Sequence, residues 1–129
     1  MVYKANINKA VKKNFDFRKR MFEGSCMELD SISIPPNAAL GEDLHKSADE
    51  ILVIVKGKGK VIIDGRSKQV RRHDAIFITA GHRHNLRNTG RCYLKLFSVC
   101  SPPARKITTG LHRSGAKALK QQLQCAWEQ

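Results

Sequence analysis

Between Phe15 and Val99 the chain is interrupted every few residues by glycine, proline or an Asn/Asp turn, and the stretches left between are short and rich in β-branched residues. Helical periodicity is scarce there, so the pattern predicts a sandwich or barrel of short strands. The clearest unit is Val61-Ile62-Ile63, Asp64-Gly65, Arg66-Ser67-Lys68-Gln69-Val70. A two-residue type I′ turn needs positive φ at both central positions, and Asp-Gly supplies them at little steric cost. That turn pairs Ile63 with Arg66 and brings Lys58 opposite Arg71, a like-charge neighbour pair that costs energy unless an anion or carboxylate lies between. Ile51-Leu52-Val53-Ile54-Val55 is uniformly apolar, as expected of a central strand covered on both sides. Ala75 to Ile78 and Tyr93 to Val99 are further strands, and Ser101-Pro102-Pro103 closes the β region. In Met27 to Ile34 the apolar residues pass from odd to even positions after Leu29, which predicts a bulge near Asp30-Ser31.

A length of 129 residues suits a single domain over 1–129, with a barrel over about 15–103 and a basic tail over 104–129. In the tail, Ala118 or Leu119, Leu123 and Trp127 recur at steps of three to four, so a short C-terminal helix is expected after Ser114, with an apolar stripe suited to packing on the barrel or on a second subunit. The 24 Lys and Arg outnumber the 11 Asp and Glu, for a net charge of +13. Residues 66–129 hold 13 of the basic residues and only 2 of the acidic ones. Such a field attracts anions without choosing among nucleic acid, an acidic membrane surface, phosphorylated metabolites and an acidic protein. With aromatics at 6%, base stacking has few platforms, and nucleic acid would be held by phosphate contact alone. No apolar run reaches the roughly 18 residues of a membrane-spanning helix. The first residues lead into no segment of secretory type, so a cytoplasmic location is expected. Cys26, Cys92, Cys100 and Cys125 form no Cys-x-x-Cys pair and read as small buried hydrophobes.

Two glycine-bounded stretches carry the chemistry. In the first, Asp43 and His45 are two apart and share one side of an extended strand. Glu50 would face the other way on an unbroken strand, so Lys46-Ser47-Ala48-Asp49 must turn if both are ligands. In the second, His84 arrives from a later strand; imidazole with carboxylate oxygen suits Fe, Mn, Ni or Zn rather than calcium. His82 has the parity of His84, but Gly81 beside it makes parity unsafe. His73 reads as a loop histidine and His112 as a tail residue. Arg83, Arg87 and Arg91 have the parity opposite to His84, Leu86 and Asn88, so a solvated outer stripe is expected of them rather than substrate capture.

These residues resemble the two motifs of the cupin superfamily. His45, Glu50 and Gly57 match the second histidine, the glutamate and the closing glycine of the first motif, with Asp43 where the first histidine usually stands. Gly81, His84 and Asn88 match the second motif, with Thr79 in place of proline, and His73-Asp74 replaces a usual Gly-Asp. The chain is similar to small single-domain cupins often described as resembling mannose-6-phosphate isomerase. The resemblance implies an all-β double-stranded β-helix, or jelly-roll barrel, and a homodimer. It implies a divalent metal ion on Asp43, His45, Glu50 and His84, with Asp43 and Glu50 as the carboxylates that do catalytic proton transfer. The ligand expected there is a small anionic molecule. Isomerisation of a sugar-phosphate-like substrate is the leading expectation; a non-heme-iron-type dioxygenase and a non-catalytic module binding a ligand or polyanion are the alternatives.

Overall fold

In a computed structural model that describes residues 2–103, the chain forms α1 (Ile7–Lys13) followed by β1 (Arg18–Glu23), β2 (Glu28–Ile34), β3 (Asp43–Leu44), β4 (Asp49–Lys56), β5 (Lys58–Ile63), β6 (Arg66–Arg71), β7 (Ala75–Ile78), β8 (Arg83–Asn88) and β9 (Leu94–Ser101). The helix expected in the tail falls on residues outside those described. The strands make two antiparallel sheets, ordered β1-β2-β9-β4-β7 and β3-β8-β5-β6, whose inner faces enclose the core of a double-stranded β-helix. The β5–β6 turn is as the pattern predicts, with φ of 50° at Asp64 and 83° at Gly65, and Ile63 pairs with Arg66.

The core is packed from alternate positions of these strands. Ile32, Ile34, Leu52, Leu86, Leu94 and Leu96 have no exposed surface, and Phe17, Ile54, Val61, Val70 and Ile78 close around them. Gly57, between β4 and β5, has φ 96°, and a Cβ there would lie 3.0 Å from the Tyr93 carbonyl oxygen and 3.1 Å from Leu94 Cα. Both the backbone conformation and the close approach therefore exclude a side chain.

β2 departs from the sequence expectation. It pairs with β9 without interruption from Glu28 to Ile34, and the irregularity sits in β1, between Arg20 and Phe22. The parity change has another cause: all the even positions face inward, so Glu28 and Asp30 are interior carboxylates. Arg18 and Arg20 meet them there, with Arg18 Nη1 2.8 Å from Asp30 Oδ2 and Arg20 Nη2 3.2 Å from Glu28 Oε2. Pairing is what allows buried charge to persist.

The outer face of β2 and β9 is covered by α1, an element the sequence reading lacks. Asn6 caps it by accepting from the Lys9 amide at 3.0 Å, and Val11 is buried beneath it. Lys95, pointing outward from β9, donates to the carbonyls of Lys12 at 2.8 Å and Asn14 at 2.7 Å. Its ammonium also sits 3.6 Å over the Phe15 ring. Burial pulls that ammonium down to about 8, with Lys56 adding repulsion. The orphan carbonyls of a helix end are thus satisfied by a strand residue.

Candidate metal centre

The centre lies where the two sheets face each other at one end of the barrel. β3 supplies Asp43 and, just past its end, His45; β8 supplies His84, which pairs across strands with Asp43. Glu50 comes from the opposite sheet, on β4, after Lys46-Ser47-Ala48 breaks the extended run. That interruption is the turn the sequence demanded. Ligand atoms of Asp43, His45 and His84 all lie within 4.8 Å of one another. His45 Nε2 stands 3.3 Å from Asp43 Oδ2 and 3.6 Å from Glu50 Oε1, and His84 Nε2 stands 3.1 Å from the same Glu50 oxygen. Two donors bound to one ion at about 2.1 Å are separated by about 3.0–3.4 Å at the usual angles. The spacing of Asp43, His45 and His84 therefore fits a shared cation, and two imidazoles with a carboxylate suit a transition metal or zinc, while Glu50 approaches both imidazoles from the opposite sheet.

Exposure falls steadily from the mouth inward. The side chain of Asp43 is 46% exposed and that of His45 21%, whereas those of Glu50 and His84 are 5% and 2%. The His84 ring is oriented by its other nitrogen, Nδ1, which lies 3.3 Å from the His82 carbonyl oxygen. When Nδ1 donates to that carbonyl, the Nε2 lone pair faces the Glu50 carboxylate, two acceptors in contact. A proton or a metal ion must lie between them.

The electrostatics carry the same demand. The hydrogen bond to His45 holds the Asp43 carboxyl below its ordinary value, against the opposing effect of burial. Its counterpart holds the His45 imidazole up: the bond to Asp43 raises it, and the charges of Asp43 and Glu50 add to that. For His84, burial disfavours the cation, but the hydrogen bond and charge of Glu50 outweigh it and the imidazole is raised overall. Each imidazole thus sits in a field that favours a positive charge, which a proton or a metal can supply.

The other expected residues sort themselves clearly. His82 is exposed and bonds Asp64 at 2.5 Å, outside the centre, although its carbonyl steers His84. His73 is an exposed turn residue and takes φ 78° at the place where the motif has glycine. Arg83 and Arg87 point outward and are exposed, as their parity predicts. Asn88 is structural: its Nδ2 donates to the carbonyls of Ile34 and Cys92, both at 2.8 Å, and its Oδ1 accepts from the Gly90 amide. The reading of the cysteines as buried holds for Cys100 alone among the three described, since Cys26 is exposed and Cys92 half-buried. Burial, reinforced by Glu50, Glu28 and Asp30, pushes the Cys100 thiol up to about 12, so it stays protonated beside the centre. The interior group of Arg18, Arg20, Glu28 and Asp30 was not foreseen; the parity change in β2 was its signal.

Comparisons with known proteins agree with this architecture. Residues 31–100 match the sequence profile of the cupin domain. A crystallised Bacillus halodurans protein, BH2720, superposes with a TM-score of 0.82 at 30% identity, over 92% of this chain and 95% of that one. The uncharacterized protein YrkC of Bacillus subtilis is 33% identical over 121 residues, which make up 88% of this chain and 64% of YrkC. Part of the mannose-1-phosphate guanylyltransferase of Escherichia coli is 33% identical over 78 residues, 60% of this chain but only 16% of that enzyme. The chain thus spans less than two thirds of either curated relative. Among the described residues no helix is long and apolar enough to cross a membrane.

Proposed function

Because the chain belongs to the cupin family, we propose that it binds one divalent metal ion through Asp43, His45, His84 and Glu50 and acts there on a small anionic molecule, in the manner of a sugar-phosphate isomerase. The observation that carries the reading is the meeting of His84 Nε2 and His45 Nε2 on one carboxylate oxygen of Glu50, at 3.1 and 3.6 Å. A bound ion would supply Lewis acidity, drawing electron density from a carbonyl or enediolate oxygen. The chain's own groups do the rest. His84, locked by the His82 carbonyl, and buried Glu50 form the rigid inner wall. Asp43, half exposed at the mouth and bonded to His45, meets an arriving molecule first and is the carboxylate that takes up and returns its proton; Glu50 is the second carboxylate within reach. The apolar residues behind them keep water out of the deeper barrel.

Metal analysis of the untagged protein after reconstitution with Fe, Mn, Ni and Zn tests the first half. About one ion per chain is expected in wild type and a trace amount in His84→Ala; an ion content that His84→Ala leaves unchanged overturns the ligand assignment. Interconversion of aldose and ketose phosphates supports the isomerase. Oxygen uptake with loss of substrate favours instead the dioxygenase, for which two histidines and one carboxylate are the usual iron ligands.

A second reading, polyanion binding, is favoured by the outer face of the four-stranded sheet. Lys58 stands opposite Arg71 and Lys60 opposite Arg87, two like-charge neighbour pairs that an anionic surface would relieve. Affinity for duplex DNA or RNA that falls steeply with added salt supports it, and weak binding at low salt removes it.

A further inference from the structure

The barrel end that carries the metal centre also holds Arg18, Arg20, Glu28 and Asp30, charged groups for which the ligand set has no use. Arg18 pairs across strands with Ile32, and Arg20 with Asp30, both of which face the interior. The two arginines therefore enter the same lumen as Glu50 and His45. Their hydrogen bonding is unequal. Arg20 has a carboxylate partner on each of its three nitrogens, with Nε on Asp30 at 2.5 Å, Nη1 on Glu23 at 3.1 Å and Nη2 on Glu28 at 3.2 Å. Arg18 makes one bond, from Nη1 to Asp30 Oδ2 at 2.8 Å. Its Nε is buried with no partner, and among the described residues no hydrogen bond reaches its Nη2.

The buried Nε has lost hydration without replacement, whereas the side chain as a whole is 18% exposed, so an arriving solute can reach the Nη2 end of the guanidinium. Among the described residues the neighbouring carboxylates meet Arg18 at Nη1 alone: Asp30 takes that bond, and the bond from Glu28 runs to Arg20. Charge counting leads to the same place. Glu28 and Asp30 balance Arg18 and Arg20, while Asp43 and Glu50 would balance a divalent ion, so the lumen has no surplus negative charge to offer Arg18. The strand register ties this group to the centre: Glu28, held by Arg20, pairs with Cys100, and Cys100 pairs with Glu50.

We propose that Arg18 is an anion-binding residue of this cavity, its free Nη2 taking a carboxylate or phosphate oxygen of a small ligand whose other end reaches the metal centre. Asp30, gripped from the far side by Arg20, holds the guanidinium in place so that little side-chain entropy is lost on binding. The ligand class is a small organic acid or phosphate ester bearing an oxygen donor a few bonds from its anionic group. This rests on the metal reading only for that second contact.

Calorimetric titration of inorganic phosphate and of succinate, each into metal-free and zinc-loaded protein, tests it in wild type, Arg18→Gln and Arg18→Lys. Wild type binds at least one of the two anions, and which one separates phosphate esters from organic acids. Arg18→Gln weakens that binding by about tenfold or more, and Arg18→Lys, which keeps the charge but loses the fork, recovers part of it. Zinc content stays at the wild-type value in both variants, and circular dichroism of Arg18→Lys confirms that the barrel is intact. Equal anion affinity in wild type and Arg18→Gln overturns the proposal, as does wild type binding neither anion. Anion binding that needs zinc but ignores Arg18 overturns it while leaving the metal reading standing. Arg18-dependent binding in a protein that takes up no metal has the opposite meaning: the anion site stands and the metal reading falls.

Discussion

The two ends of the barrel interior are built from the same strands and obey different rules. The inward residues of β2 run Ile34, Ile32, Asp30, Glu28; those of β9 run Leu94, Leu96, Ser98, Cys100; those of β4 run Ile54, Leu52, Glu50. One end is closed by aliphatic packing, and the other is a lattice of carboxylates, imidazoles and guanidinium groups. The change happens within a single inward step on each strand, about 7 Å. The inward residues of these three strands are buried at both ends, so on them burial does not separate the ends. What separates them is that every charge at the polar end has a specific counterpart, whereas the apolar end needs only shape.

That contrast is open to attack from either side, and the largest effect is expected at the apolar end. Leu96→Ala removes a fully buried side chain and should cost about 2–5 kcal/mol in urea unfolding. The zinc affinity of the molecules that remain folded should be unchanged; an equal loss of affinity would mean that the ends are mechanically one. At the polar end, Glu50→Gln keeps the shape and removes the charge that faces both histidines. Zinc affinity should fall by about 10–100-fold in a competition titration. In the metal-free variant the His84 imidazole, followed by NMR, should titrate lower than in wild type, since Glu50 is what holds it up.

The smallest effect sharpens the comparison through pH. His45 and His84 are raised on folding, so their contribution is complete below the unfolded imidazole value of about 6.5 and is lost as pH rises through the folded values. Asp43 is lowered, by its bond to His45, so its contribution is present above the unfolded value of about 3.9 and is lost as pH falls through the folded one. The metal-free protein should therefore melt highest between about pH 4 and 6.5 and lower near pH 8. Zinc-loaded protein should gain increasingly over metal-free protein as pH rises, because the imidazoles must shed protons to bind. Leu96→Ala should lower the whole melting profile without changing its form, since no titrating group is lost.

Much of this was legible in the sequence, for reasons that are local. The Asp64-Gly65 turn sets its own backbone geometry, and it carried the correct register to Lys58 and Arg71. The spacing of His45, Glu50, Gly57, Gly81, His84 and Asn88 marked the meeting of two sheets and the four residues that converge there. The failures share a different cause. Reading Met27 to Ile34 by polarity assumed that Glu28 and Asp30 face water, and what reverses this lies on another strand, in Arg18 and Arg20. Lys95 faces outward on β9 and is buried because α1 closes over it. Pairings of that kind have no fixed sequence interval, so no periodicity betrays them.

The uninterrupted pairing of β2 with β9 has a consequence for how such a barrel is copied or redesigned. Were either strand to slip by one residue, aliphatic groups would turn outward and the acids would lose their arginines at the same stroke. Correct assembly is thus checked twice by one geometry, once by oil and once by charge. Transplanting the centre into another scaffold would accordingly require moving whole strands in step, because loops alone carry neither safeguard.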